Sequence, residues 1–259
     1  MANGTSALAS QRRERAATDP SWPGVTVSAA TVTRTHVFGG KSGSATPPWT
    51  DLQARVVGGG FKRGFDVTAA LTAIILLLPM LCLIALAIKL WDRGPVFYRH
   101  RRIGLGGSGF DCLKFRSMVV NGDEVLSRHL TANSTAAREW EATRKLRDDP
   151  RITPLGASMR KTSIDELPQL VNILKGEMSF VGPRPIVTAE VPKYGDAIGH
   201  YLCARPGLTG PWQISGRNDV DYSTRVALDR GYVEEWSFWR DVSIIAKTAR
   251  VVVTARGCY

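Results

Sequence analysis

Cysteine is scarce and scattered. The 259-residue chain has four, Cys82, Cys112, Cys203 and Cys258, and no two form a CxxC pair. That spacing suggests neither a zinc site nor a disulfide framework and fits a reducing, cytosol-facing setting. Acids are outnumbered, 23 against 34 Lys and Arg, for a formal net charge of +11. An anionic partner follows: nucleic acid, a phospholipid surface or a phosphorylated substrate. No helix-turn-helix, RRM or zinc signature accompanies the charge, which argues against a nucleic-acid binder. A GxxxxGK[ST] loop is missing too, and the glycine-rich run GLGGSG at 104–109 suits a hairpin turn better than an ATP phosphate cradle. Residues 1–55 lack apolar periodicity and are rich in Ala, Ser, Thr, Gly and Pro. They predict a disordered tail, and without an apolar stretch they do not make a secretory signal.

Charge is wholly absent between Val67 and Ile88. About 20 apolar residues in a row is the length of a membrane helix, and a soluble core helix would show a polar face. The flanks are basic on both sides: Arg55, Lys62 and Arg63 before, Lys89, Arg93, Arg99, Arg101 and Arg102 after. Basic residues at membrane helix ends favour the cytoplasm, so both ends ask for the same side. Pro79 stands near the middle, where it removes a helix hydrogen bond and favours a bend. A re-entrant segment and a single kinked span both remain open on physical grounds. The organisation expected is a tail over 1–55, a membrane-embedded segment over 56–93 and a cytosolic-face domain over 94–259.

In that last part, VFYRHRRIG and FDCLKFRSM alternate apolar and polar residues and predict a β-hairpin. Residues 123–149 read as solvated helices. A helix is expected from about Ser163 to Leu174, stopped by Gly176. Over residues 222–250, Val233, Trp236, Trp239, Val242 and Ile245 or Ala246 keep helical spacing, and the aromatics with Arg240, Lys247 and Arg250 suit an interfacial amphipathic helix. The fold class is α+β.

The stretch SIDELPQL at 163–170 places Asp165 beside Glu166. Ser163 and Glu166 fit a capping box; a later start, with Leu167 as N-cap and Pro168 at N1, fits equally. In either case the acids lie at a helix entrance, where free N–H groups should keep Asp165 ionised. Adjacent helical residues point about 100° apart, so the two cannot share a proton as a facing dyad. One can aim at a substrate atom while the other holds a metal. A carboxylate can attack phosphorus, and Mg²⁺ is bound by one or two carboxylates plus phosphate oxygens. Phosphate also needs cations: Arg160 precedes the pair, while Arg184, Arg205 and Arg217 sit in turns defined by Pro and Gly.

FKRGFDV, an apolar segment with a central proline, GPVFYRHRRIG, KFRSM, SIDELPQLVNILKGEMSFVGPRP, RPGLTGPWQISGRND and DRGYVEEWSFWRD follow in one order. From about Phe61 to Tyr259 the chain resembles the monotopic phosphoglycosyl transferases, or bacterial sugar transferases, and most of all the short rhizobial type that serves exopolysaccharide synthesis with galactose 1-phosphate. The resemblance implies transfer of hexose 1-phosphate from a UDP-hexose to undecaprenyl phosphate at the cytoplasmic face of the bacterial inner membrane. It implies Asp165 as covalent nucleophile, Glu166 as Mg²⁺ ligand, and Arg160 and Arg184 on phosphate. Lys114, Arg116, Arg205 and Arg217 fall in the same motifs as further substrate-binding candidates. It also implies a re-entrant helix broken at a Ser-Pro pair, here Leu78-Pro79. A homodimer is compatible with this reading. The competing reading is a non-enzymatic, membrane-anchored basic adaptor, which gives SIDELPQL and GPRP no reason to coexist.

Overall fold

The computed structural model describes residues 56–143, 145–215 and 220–254; the expected tail lies outside them. Its elements confirm a mixed α+β class. Helix α1 spans Gly59–Asp92. Strands β1 (Phe97–Ile103) and β2 (Gly109–Phe115) form an antiparallel hairpin with Phe97 opposite Phe115 and Ile103 opposite Gly109. The glycine-rich run makes the turn, as its composition predicts, through a 3₁₀ segment Leu105–Gly107 in which Gly106 and Gly107 have positive φ. Helices α2 (Gly122–Ala132) and α3 (Ser134–Thr143) fill the charged stretch. Then come α4 (Pro154–Thr162), α5 (Gln169–Lys175), β3 (Ser179–Val181), α6 (Ile198–Leu202), β4 (Gly207–Thr209), α7 (Pro211–Ile214), α8 (Tyr222–Glu234) and α9 (Phe238–Thr254). Strands β3 and β4 pair in parallel, a short pairing that three-residue runs did not announce.

Helix α1 is the one described helix long and apolar enough to cross a membrane. It runs as one helix through Leu78 and Pro79 over 34 residues, so the break expected at that pair is not found; at 1.5 Å per residue it is roughly 50 Å long. One stripe of it faces the rest of the protein. Ala70 is buried with Phe110, Cys112, Leu170, Ile173 and Met178, and Ala73 and Ile74 pack beside it. Further along, Ile88 is buried with Phe115 and Met159, and Leu81, Ile84 and Ala85 join them. The spacing is that of one helical face. On the other side Leu71, Ile75, Leu76, Leu78, Leu83, Leu86 and Leu90 are exposed.

Both ends of α1 carry charged anchors. Near its start, buried Lys62 pairs with Asp241 of α9, and Asp66 accepts the Phe180 N–H at 3.0 Å. At its end, Asp92 pairs with Arg116, just after β2. Phe238 also sets its ring edge-on to Phe61 and Phe65, with centroids 5.2 and 5.4 Å away.

Two local expectations fail. Residues 222–254 are two helices, not one, because the chain turns between Glu234 and Phe238. The supposed single stripe is therefore divided: Val233 is buried while Trp239 is 76% exposed. The capping box at Ser163 does not form either. Ser163 is the left-handed C-cap of α4, at φ 57°, and its side chain caps nothing. A 3₁₀ turn, Ile164–Glu166, follows, and α5 starts after Pro168. The predicted stop is right, since Gly176 closes α5 at φ 85°.

Candidate active site

The acidic pair is placed by three neighbours. Asn172 of α5 is fully buried and reads the edge of β2, accepting the Leu113 N–H at 3.0 Å and donating to the Asp111 carbonyl at 2.8 Å. Those bonds fix α5 and the turn before it against the strand that carries Lys114. On the other side, Thr153 caps α4 by accepting the Gly156 N–H. Gly156 lies so close to the Ser117 carbonyl that any Cβ would overlap it. That approach lets Arg160, in the last turn of α4, donate to Ser117 Oγ at 2.8 Å. Ile164 packs into the cluster of Ile88, Phe115 and Met159 and anchors the turn itself.

Asp165 points inward and is 7% exposed, whereas the Glu166 side chain is 34% exposed. Lys114 Nζ donates to Glu166 Oε1 at 2.6 Å. Burial pushes the Asp165 carboxyl from its ordinary 3.8 up to about 6; Glu166 adds to the rise, and Lys114 and Arg160 oppose it. Burial thus outweighs the nearby donors and holds Asp165 as a carboxylate less firmly than an open helix entrance would, yet a carboxyl near 6 is still mostly ionised at neutral pH. Lys114 is held above its usual range, because Glu166 and Asp165 more than offset its own desolvation.

A second group of cations adjoins the first. Positions 98, 100 and 102 of β1 stand opposite 114, 112 and 110 of β2, so His100, Arg102 and Lys114 share a face of the hairpin. Arg184 donates to Glu190 Oε1 at 2.9 Å, and Arg102 lies 3.9 Å from the other oxygen. Burial, then Arg102, Lys114 and Arg184 in that order, lower the His100 pKa. His100 and Arg102 were not among the expected residues, although the period-2 alternation of HRR places both with Lys114. Beneath Arg184, Asp229 is buried and accepts the Tyr194 hydroxyl at 2.7 Å. Burial pushes its carboxyl up to about 7.

The remaining candidates lie elsewhere. Arg116 is bound to Asp92 through both terminal nitrogens and donates Nε to the Pro95 carbonyl at 2.6 Å, so its donors face α1. Arg205 donates to the Gly176 carbonyl at 2.9 Å, and Arg63 donates to those of Ile173 and Leu174. Both arginines thus cap the C-terminus of α5, where its dipole favours cations. Arg217 lies outside the described residues.

For a divalent cation the donor set is small. Among the described residues no cluster of three or more His, Cys, Asp or Glu exists. Two adjacent carboxylates do not make an all-protein cage, but they fit Mg²⁺ that takes its other ligands from phosphate and water. Glu166 is the better placed of the two, being half-exposed with one oxygen not engaged by Lys114.

The family model for bacterial sugar transferases matches residues 57–255. Exopolysaccharide production protein ExoY of Rhizobium meliloti is 55% identical over 205 residues, covering 79% of this chain and 91% of that protein. Undecaprenyl-phosphate galactose phosphotransferase of Salmonella typhimurium is 50% identical over 203 residues, covering 76% of this chain and 41% of that longer protein. UDP-glucose:undecaprenyl-phosphate glucose-1-phosphate transferase of Caulobacter vibrioides is 39% identical over 206 residues, covering 76% and 72%. With the match running from before α1 to the end of α9, the chain belongs to the bacterial sugar transferase family.

Proposed function

We propose that this chain transfers hexose 1-phosphate from UDP-galactose or UDP-glucose to undecaprenyl phosphate, as the first membrane step of exopolysaccharide synthesis, through a phosphosugar ester of Asp165. The observation that carries the reading is a buried carboxylate, Asp165, set beside Lys114, Glu166 and Arg160 in a member of this family. In the first step an Asp165 oxygen attacks the β-phosphorus of the donor. A P–O bond forms, the P–O bond to UMP breaks, and its electron pair leaves on the UMP phosphate. In the second step an oxygen of the lipid phosphate attacks the same phosphorus and the Asp165 carboxylate is restored. Neither step requires a proton from the protein. Lys114 and Arg160 place positive charge beside the attacked phosphate, and Ser117 aims Arg160. Mg²⁺, held by Glu166, would neutralise diphosphate charge when bound.

The test is transfer from a panel of radiolabelled UDP-sugars to undecaprenyl phosphate. The expected result is lipid-linked label with one UMP released per transfer, lost in EDTA and restored by Mg²⁺. Membrane binding without UMP release from any donor would instead favour the adaptor reading.

The same proposal includes a re-entrant α1 whose two ends stay on the cytoplasmic side. What supports it is the pair of anchors, Lys62 on Asp241 and Asp92 on Arg116, joined by a continuous packed stripe. A crossing helix would have to break one anchor and strip half of that stripe from its partners. The exposed leucine face is then the surface for lipid. Single cysteines beside Lys62 and Arg93 should both resist a membrane-impermeant thiol reagent added outside the cell. External labelling of either position would rule out the re-entrant arrangement.

A further inference from the structure

Beyond Arg184 the side chains form a ladder of alternating cations and rings. The Arg184 guanidinium lies 5.5 Å from the Trp212 ring centroid, and Arg225 lies 5.2 Å from the same ring. Arg225 is also 5.8 Å from the Tyr222 ring, which has Lys193 at 5.0 Å. Residues far apart in sequence, on the loop after β3, on α7 and on α8, converge here. Guanidinium–ring stacks occur in many folds, and by themselves they would be packing. The polar edges of these groups set this ladder apart. Trp212 Nε1, the Tyr222 hydroxyl and Arg225 Nε are all buried and have no hydrogen-bond partner among the described residues. A buried donor left unpaired is costly, and three in one patch need a reason. A ligand rich in acceptors supplies one.

The ligand's class follows from location. Among the described residues the exposed large apolar side chains lie on α1, at Phe97, Tyr98, Val120 and Val171, and on α9 at Trp239 and Val242; none of those described falls between residues 172 and 238. The ladder therefore belongs to the water-facing part of the molecule and suits a soluble ligand rather than the lipid. Its near end, Arg184, shares Glu190 with Arg102, whose Nη2 lies 3.2 Å from His100 Nδ1 on the hairpin face that also carries Lys114, the partner of Glu166. It thus adjoins the place where the attacked phosphate would lie. A displacement at phosphorus puts the leaving group opposite the nucleophile, so the leaving half of the donor extends away from Asp165 toward the next cations. We infer that Trp212, Arg225 and Tyr222, with Arg184 at the near end, hold the nucleoside monophosphate half of the nucleotide-sugar donor. Phosphate, ribose and base carbonyl oxygens give the unpaired donors their acceptors. The inference rests on the proposed transfer and names the residues that bind its leaving group.

Binding that persists equally in ground and transition states alters KM and leaves kcat. The test uses the full chain in lipid nanodiscs, with UMP and inorganic pyrophosphate as calorimetric probes and UDP-hexose kinetics alongside. Trp212→Ala and Arg225→Gln should each weaken UMP binding and raise the KM for UDP-hexose by about tenfold or more, with kcat within about threefold. Pyrophosphate affinity should not change in Trp212→Ala, since the ring and its N–H serve the nucleoside. Tyr222→Phe removes only the hydroxyl and gives a smaller loss of the same kind, which keeps the test open if Trp212→Ala does not fold. Unchanged UMP affinity and KM in these variants, or equal loss of pyrophosphate and UMP in Trp212→Ala, would overturn the inference while leaving the transfer reaction standing. A wild-type chain that neither binds UMP nor consumes any UDP-hexose would overturn the transfer and, with it, this site.

Discussion

Replacing Asp165 with Asn should abolish sugar-phosphate transfer, by about 10³-fold or more. Losing one charge-stabilising donor in an active site typically costs about 10²–10³ in rate. Loss of the nucleophile should exceed that, because the amide cannot form the phosphosugar ester and both half-reactions depend on it. The side chain keeps its size, and Asp165 is already 7% exposed among neighbours that fix the turn, so the fold should persist. The wild-type pH profile supplies a companion readout. Attack requires the carboxylate, so kcat/KM should fall about tenfold per pH unit below an apparent pKa near 6, the value to which burial raises Asp165. Lys114→Met removes a charge that lowers this pKa, and the acid limb should move upward. The sign for stability is opposite. A folded pKa above the unfolded value is a favourable contribution at acid pH that is lost as pH rises through about 6. The site thus gives up some stability at neutral pH to hold a desolvated carboxylate. Residual activity of Asp165→Asn within tenfold of wild type, with deamidation excluded by mass, would remove Asp165 from the chemistry.

Asp241→Ala should give the largest loss of stability away from the site. Asp241 is buried and accepts from Lys62, from the Tyr232 hydroxyl at 2.7 Å and from Trp236 Nε1 at 3.1 Å. The same Tyr232 hydroxyl lies 3.0 Å from the Val181 carbonyl and shares its one hydrogen between the two acceptors, so the group ties α9, α8, β3 and the start of α1 together. Removing one partner of a buried pair typically costs about 3–5 kcal/mol, since the other charge stays buried. For a chain of this size that corresponds to a fall in Tm of roughly 10 °C. The double variant Lys62→Met, Asp241→Leu removes both charges and should melt closer to wild type than Asp241→Ala. Thermal unfolding in nanodiscs measures both. If Asp241→Ala melts within about 2 °C of wild type, the anchor does not hold α1 to the domain.

The parts of the molecule legible in the sequence are those with local causes. A charge-free run from Val67 to Ile88 forces a long apolar helix, and alternation with a glycine-rich turn forces the hairpin. Gly176 stops α5 because glycine takes the left-handed cap conformation without steric cost. The site was half legible: the motif names Asp165 and Glu166, but only tertiary packing brings Lys114 and Arg160 to them. The arginines divide on the same ground. Arg184 joins a cationic group, whereas Arg116 and Arg205 face Asp92 and the end of α5, which nothing local in their motifs distinguishes. Capping logic misplaced Ser163 because α4 ends at Thr162, one residue earlier, and takes Ser163 as its left-handed C-cap. The Lys62–Asp241 anchor joins positions 179 residues apart, a separation no local pattern reports.

Covalent capture at Asp165 is the most direct test of the mechanism. Purified full-length protein is given UDP-hexose with Mg²⁺ and no lipid acceptor, and the protein mass is measured intact and after digestion. The expected result is one added hexose phosphate on the peptide carrying Asp165, with one equivalent of UMP released, and removal of that mass by undecaprenyl phosphate. Turnover with no adduct at any time, or the adduct on a residue other than Asp165, would contradict it.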